Sequence, residues 1–213
     1  GVKCLQSEVN LGYGTACNLG AAQAQGRYVL FMNPDVRLSP ASLQLLIDQC
    51  DEHQELVAIA PLQGNARGRV RGKRRAVGQA WTPSTRTLHR LSSAGTLKPT
   101  GFLGGGVLMV RKDAFDQVGG FDEKIFLFHE DDDLCLRLAK RGQLAYAAGV
   151  LAVHNPGRST PRSEELTKTK SWHLGNSKVY VAHKHYGSLA ALLPLLELQL
   201  VVSFLSITPL GTA

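Results

Sequence analysis

The sequence predicts an α/β domain whose mixed sheet is flanked by helices, and three observations predict it. Short apolar runs rich in β-branched and aromatic residues alternate with helical stretches. The runs end in proline- or glycine-containing polar turns, where a sheet ladder stops. The length of 213 residues, with 44% hydrophobic and 19% charged residues, suits one ordinary domain with a real core.

The elements follow in order. Glycines and amides from Asn10 to Gly20 open a helix, and a small-residue helical stretch from Ala21 passes through Gly26 into Arg27 to Met32, which reads as a buried strand. That strand stops at Asn33-Pro34-Asp35. Leu43 to Ile47 has helical spacing after the cap candidate Ser39, and Val57 to Pro61 is another strand. Gly64 to Lys98 is polar, basic and without sustained periodicity, so a long surface loop is expected. Gly104-Gly105-Gly106 leads into a strand from Val107 to Val110, and Lys112 to Val118 forms a brief helix ended by Gly119-Gly120. Asp131 to Arg141, with Leu134 and Leu138 four residues apart, reads as a helix stopping at Gly142, and Leu144 to Val153 is strand-like, ending at His154. No internal repeat is apparent.

From Ser188 the composition turns to leucine-rich apolar sequence, interrupted by Pro194, Glu197 and Gln199, which divides the chain into 1–187 and an apolar helical tail, 188–213. A spanning helix needs roughly 20 mostly apolar residues, and this stretch barely reaches that length and carries a charge. An interfacial or partner-docked helix is expected. Cys4, Cys17, Cys50 and Cys135 lack metal-ligand spacing and fall in stretches read as strand or helix, so reduced, buried thiols are expected. With no positively charged start and apolar signal core, a cytoplasmic, reducing setting fits, with the inner membrane face as a possible location. The net charge of +7 points to an anionic partner, which charge alone leaves open among nucleic acid, an acidic membrane face and a phosphorylated substrate. Aromatic residues at 7%, with no base-stacking pattern beside the arginines, argue against nucleic acid.

Ligands of open α/β sheets sit at strand ends, and two acidic motifs fall there: Asn33-Pro34-Asp35 and Glu130-Asp131-Asp132-Asp133. A diphosphate leaving group needs its charge neutralised, and a hard divalent cation held by few carboxylates does this, with Asp35 the candidate ligand. Taken alone, Asn-Pro-Asp is equally a simple turn. Four successive carboxylates at a helix start exceed what capping requires, which leaves one able to take a proton from a hydroxyl. His154 emerges at the same sheet edge, and beside a carboxylate-bound metal it becomes a further ligand. The Asn10 to Gly20 segment suits close approach of a nucleotide but lacks the dinucleotide fingerprint spacing.

Five ordered segments together resemble the inverting, family-two type of glycosyltransferase with the glycosyltransferase-A fold, especially its bacterial rhamnosyltransferase-like branch. They are Asn10-Leu11-Gly12 to Asn18-Leu19-Gly20, Tyr28 to Asp35, Gly104 to Arg111, Gly119 to Glu123, and Glu130 to Arg137. The resemblance covers Val2 to Gly187. It implies transfer of a sugar from a nucleotide-sugar donor to a hydroxyl of a saccharide or lipid-linked acceptor, in cell-envelope polysaccharide synthesis. It implies that Asp35 binds Mg or Mn with the diphosphate, that His154 assists, and that Asp131 is the general base of an inverting displacement. Substrate contacts are implied for Asn10, Gly12, Asn18, Asn33, Gly104, Gly105, Glu130 and Arg137. The metal motif departs from many relatives in beginning with Asn33, which puts fewer charges on the metal. The family's opening strand and base-binding loop belong before Gly1, and without them a central sheet position would be vacant. The rival reading is therefore a binding module that keeps the fold without a complete donor site. The catalytic reading needs Asp35, Asp131 and His154 to converge on one cation beside a shared cleft. In such an enzyme Arg67, Arg69, Arg71, Lys73, Arg74 and Arg75 would meet acceptor phosphate or anionic lipid, while the helix from Trp172 to Gly187 would follow the core, its histidines lying at the surface.

Overall fold

The computed structural model describes residues 2–64, 70–71, 97–104, 106–154 and 163–207. Six helices are described: α1 (Tyr13–Ala22), α2 (Pro40–Glu52), α3 (Lys112–Gln117), α4 (Glu130–Leu138), α5 (Glu164–Tyr186) and α6 (Ser188–Ile207). The strands are β1 (Tyr28–Met32), β2 (Val36–Arg37), β3 (Leu56–Gly64), β4 (Val70–Arg71), β5 (Leu97–Thr100), β6 (Val107–Arg111) and β7 (Gln143–His154). They form one sheet in the order β1-β6-β3-β7-β2, with β4 added to β3 and β5 to β7. Only β3 and β7 run parallel; the other pairs are antiparallel, which makes the sheet mixed.

Period-two alternation sends successive strand residues to opposite faces, and each face has its own core. Val29 and Phe31 of β1, Leu108 and Val110 of β6 and Leu144 and Tyr146 of β7 pack under α1, α3 and α4. Tyr28 and Leu30, Met109, and Ala145 and Ala147 of the same strands pack on α2 through Leu46 and Cys50. Each fully buried side chain of this size contributes roughly 1.5–3 kcal/mol, so the sheet is held from both sides. β3, covered on both faces, is a continuous apolar run closed only by Gln63 and Gly64.

Local signals account for the ends of several elements. Ser39 Oγ accepts from the Ser42 amide and Pro40 occupies the first turn of α2. α4 covers Glu130–Leu138, three residues shorter at its end than expected, because Lys140, Arg141 and Gly142 close it with amide bonds to Arg137 and Leu138 carbonyls. Within the expected loop, the described parts at 70–71 and 97–100 are strands; of the basic cluster only the backbone of Arg71 is described, and Arg67, Arg69, Lys73, Arg74 and Arg75 lie outside the described residues. The cysteine expectation needs correction at one position. Cys4 is exposed in a segment without regular structure, whereas Cys50 and Cys135 are buried and Cys17 is partly so; all four are free thiols.

The helix α5 is fixed to the domain by charge. Asp133, fully buried on α4, accepts from Arg137 Nε and Nη2 at 2.8 and 2.6 Å on one oxygen, and from Lys184 and His185 of α5, both at 2.7 Å, on the other. Lys184 also reaches Asp122 at 2.6 Å, and the Tyr180 hydroxyl donates to the same carboxylate at 2.8 Å. His185 is thus buried against Asp133, a correction to the expectation of surface histidines, whereas His183 is exposed. No described helix is long and apolar enough to cross a membrane.

Burial by itself raises both carboxylates, but their cationic and hydrogen-bonding partners outweigh it. Lys184, the Lys124 amide and Tyr180 hold Asp122 at about 2, and Lys184, Arg137 and His185 hold Asp133 below the usual carboxylate range. A depressed carboxylate contributes stability that is complete above its unfolded pKa, about 3.9, and is lost as pH falls through that value towards the folded one. Thermal melting should therefore show stability dropping between pH 4 and about 2. Asp133→Asn, which removes the carboxylate that Arg137, Lys184 and His185 share inside the protein, should cost about 3 kcal/mol at pH 7, read as a melting point lower by roughly 6–12 °C.

Candidate active site

Asp35 and His154 are brought together by strand register. β2 pairs with the last residues of β7 so that Val36 lies opposite His154, and Asp35, immediately before Val36, meets the ring. Asp35 Oδ1 and His154 Nε2 are 3.2 Å apart, with the side chains 10% and 24% exposed. The turn carrying Asp35 is hung on β6: the Asn33 amide donates to Gly106 O at 3.0 Å and the Val36 amide to Asn33 O at 3.1 Å.

A residue the sequence reading passed over determines how His154 stands. Gln63 Nε2 donates to Gly104 O at 3.3 Å, which turns Oε1 towards His154 Nδ1 at 3.2 Å. The ring must then carry its proton on Nδ1, and in the neutral imidazole Nε2 holds a lone pair that points at the Asp35 carboxylate. Two acceptors face one another at 3.2 Å, an arrangement that a cation or a second proton relieves. A glutamine carbonyl orienting the far side of a histidine ring is the usual support of a metal ligand. The nitrogen and carboxylate donors fit Mg or Mn, with diphosphate oxygens left to complete the shell. Gly106 admits this amide, because a Cβ there would fall 2.3 Å from Gln63 Oε1. The only local signal was a polar residue closing an otherwise apolar strand.

The second part of the site is the acidic first turn of α4. Glu130, Asp131, Asp132 and Asp133 are all buried, with Asp131 8% exposed. The chain enters this turn through two consecutive non-glycine residues with positive φ, Phe128 at 65° and His129 at 61°. Such backbone costs on the order of 1–3 kcal/mol per residue and persists where surrounding contacts enforce it. Here the contacts are Ser177 Oγ, donating to Leu127 O at 2.9 Å, and the stacking of Phe126 on His173 at 4.6 Å.

The glycine-rich start of α1 docks on the same segment. The Tyr13 amide donates to Phe126 O at 3.1 Å, and a Cβ on Gly12, whose φ is 80°, would lie 2.3 Å from that carbonyl oxygen. Asn10 Oδ1 accepts from the Gly12 amide at 3.1 Å, making the turn that enters the helix. Burial pushes the Cys17 thiol up to about 11 and the Tyr13 hydroxyl higher still, and the charge of Glu130 raises both. Tyr13 and Cys17 thus face the acidic turn.

The described residues contain no group of three His, Cys, Asp or Glu side chains arranged to hold one metal, which corrects the expectation that Asp35, Asp131 and His154 converge on one cation: Asp35 and His154 meet, and Asp131 is not grouped with them. Leu103 and Gly104 connect the two parts. Leu103 exchanges bonds with Cys135 on α4, its amide to Sγ at 3.4 Å, while Gly104 O holds Gln63. Asp131 lies one turn before Cys135, so two backbone residues link it to the His154 support.

Two residues named for substrate contact are engaged within the protein. Asn18 clamps the turn at 121, accepting from the Phe121 amide at 2.8 Å and donating to its carbonyl at 2.9 Å. Besides holding Asp133, Arg137 Nη1 donates to Val118 O and Gly120 O, both at 2.7 Å. Gly105 lies outside the described residues.

Comparison with known proteins gives the class. The chain belongs to glycosyl transferase family 2: that family's profile matches residues 1–119, and the profile described as the N-terminal domain of galactosyltransferase matches residues 89–150. It is a transferase of the glycosyltransferase-A-like fold. Its relatives include the N-acetylglucosaminyl-diphospho-decaprenol L-rhamnosyltransferase of Mycobacterium tuberculosis, 32% identical over 212 residues, covering 87% of this chain and 68% of the relative. The rhamnosyltransferase WbbL of Escherichia coli K12 is 36% identical over 81 residues, covering 38% of this chain and 30% of that one. Among solved structures, GalNAc-T7 with UDP, GalNAc and Mn2+ aligns with a TM-score of 0.62 at 15% identity, and Staphylococcus aureus TarS 1–349 with 0.53 at 14%. These alignments cover 84% and 93% of this chain but only 36% and 54% of those chains, and they bear on fold alone.

The role assigned to Gln63 has a direct check. Gln63→Leu keeps the volume but removes the His154 orientation, and calorimetric titration with Mn2+ and a nucleoside diphosphate should show affinity weakened roughly 10–100-fold. Unaltered affinity would make Gln63 merely a packing residue.

Proposed function

We propose that this chain transfers a hexosyl group, rhamnosyl by its likeness to rhamnosyltransferases, from a nucleoside-diphosphate sugar to a hydroxyl of a polyprenyl-diphosphate-linked saccharide, with inversion and with divalent-metal assistance. The carrying observation is the pair of facing acceptors, Asp35 Oδ1 and His154 Nε2, with His154 oriented by Gln63. Family membership and the rhamnosyltransferase relative support the reaction class, and that relative's name supplies the lipid-linked acceptor. The Mn2+ bound with UDP by GalNAc-T7, which shares this fold, agrees with the donor set.

Asp35 and His154 would hold the cation, which neutralises the diphosphate as it departs. Asp131 takes the proton of the acceptor hydroxyl. The freed oxygen forms a bond to the anomeric carbon from the face opposite the leaving group, and the carbon–oxygen bond to the diphosphate breaks with its electron pair passing to the nucleoside diphosphate. One displacement inverts the configuration. Burial of Asp131 at the start of α4 keeps bulk water from competing for the role of nucleophile. Gly12 and Asn10 line the approach at the start of α1, with Asn33 beside Asp35, Gly104 beneath the metal support and Glu130 next to the base.

Two variants separate the roles. Asp131→Asn should lower kcat by about a thousandfold or more while Mn2+-dependent nucleotide binding stays within about twofold, because the base acts on the acceptor. Asp35→Ala should weaken that binding by tenfold or more. If the wild-type chain shows no metal-dependent binding of UDP- or dTDP-sugars, the enzyme reading fails and a binding module with this fold remains.

A further inference from the structure

α6 is apolar on two sides. Ala191, Pro194 and Leu198 are buried against the domain, with Leu198 packed on Gly175 of α5. On the opposite side Leu189, Leu192, Leu193, Leu196 and Leu200 follow the helical period, and Leu189 and Leu193 are 82% and 72% exposed. A helix that is apolar all round belongs in contact with something on every side, and no described element covers that outer stripe.

Between α5 and α6 lies a cavity of about 340 Å³, within the size range of small-ligand sites. Leu174, Gly175, Pro194 and Leu198 form apolar wall, and His129, Ser171, Lys178 and Glu197 contribute polar groups. His129 directly precedes Glu130 and Asp131. Its side chain is only 10% exposed; Nδ1 is bonded to Asp132 at 2.5 Å, and Nε2 is buried with no hydrogen-bond partner among the described residues. Buried polar atoms are almost always satisfied, so an unmet one beside a cavity marks a place for a polar partner. Lys178, paired with Glu197, places a cation at the same cavity.

We propose that the α5–α6 hairpin is the dock for the lipid of the acceptor: the cavity takes the prenyl units next to the diphosphate, and the outer leucines of α6 continue the apolar path. This rests on the reading that the acceptor is a polyprenyl-diphosphate-linked saccharide. Three features select this occupant. The cavity walls are mostly apolar, they include the residue that begins the catalytic turn, and Lys178 there can exchange Glu197 for the anionic diphosphate. A lipid seated there brings its sugar to Asp131, whereas a generic apolar partner has no reason to lie beside that turn.

The test uses the full chain and a benzophenone-bearing farnesyl diphosphate, photolysed without donor and mapped by mass spectrometry. Adducts within 163–207 that farnesyl diphosphate competes away, and that fall at least fivefold in Leu174→Asp, are expected; Leu174 is 47% exposed, so this variant should fold. Adducts elsewhere, or labelling unaffected by Leu174→Asp, would overturn the proposal. Kinetics supply a second reading. KM for N-acetylglucosamine linked to farnesyl diphosphate should be about tenfold or more below that for the same sugar on hexyl diphosphate, and Leu174→Asp should erase the difference with kcat on the hexyl acceptor unchanged. Equal KM values in the wild type would remove the lipid dock yet leave the transferase reading standing. Concentration-dependent dimers dispersed by Leu193→Glu, with no labelling of the hairpin, would assign the stripe to a second copy and overturn the proposal.

Discussion

A fully buried carboxylate must be matched by charge, and Asp133 is matched by Arg137 on its own helix and by Lys184 on α5, with His185 of α5 as a further hydrogen-bond partner. These contacts do more than neutralise it. Arg137 ties α4 to the carbonyls of Val118 and Gly120, and Lys184 ties α5 to Asp122 in the same turn. The acidic turn that begins α4 is consequently held at both ends. Asp133 anchors it from the C-terminal side, while Phe126 to His129, strained in backbone, is pressed into place by α1 and α5. Asp131 owes its buried position to that double hold.

The Asp35–His154 end of the site depends on a different constraint, the direction of a side-chain amide. Gly104 O can only accept, so it turns the Gln63 NH2 towards itself and the carbonyl towards His154. That choice propagates through the imidazole to the lone pair facing Asp35. The glycines before β6 therefore serve the protein's own amide; Gly106 leaves room for Gln63 as tightly as a phosphate loop leaves room for a ligand. Because Gly104 is also bonded to Tyr146 on β7 and its neighbour Leu103 is bonded to Cys135 on α4, the two halves of the site share one backbone segment.

Much of this fold was legible in one dimension. β1, β3, β6 and β7 appear where apolar β-branched runs occur, and α2 begins at the serine that caps it, because period and capping are local properties. Less was legible where long-range pairing decides: the lengths of β3 and β7, the short strands at 70–71 and 97–100, and the exposure of Cys4 follow from neighbours distant in sequence. In the site, residue types that announce chemistry, such as Asp35, His154 and the four acids, stood out at once. Gln63 did not, since a glutamine ending a strand has no distinguishing pattern until the partner of each amide atom is known.

By itself the sequence determined the family, the α/β class and the chemical inventory, because motif order and hydrophobic period are carried by neighbouring residues. Tertiary structure alone decided which of those groups meet. Strand register placed His154 beside Asp35, an amide orientation selected the ring tautomer, and helix packing turned His185 inward and Leu193 outward. The physical reason is common to all of them: hydrogen-bond direction and burial are properties of pairs of atoms, and the chain brings those pairs together only when it is folded.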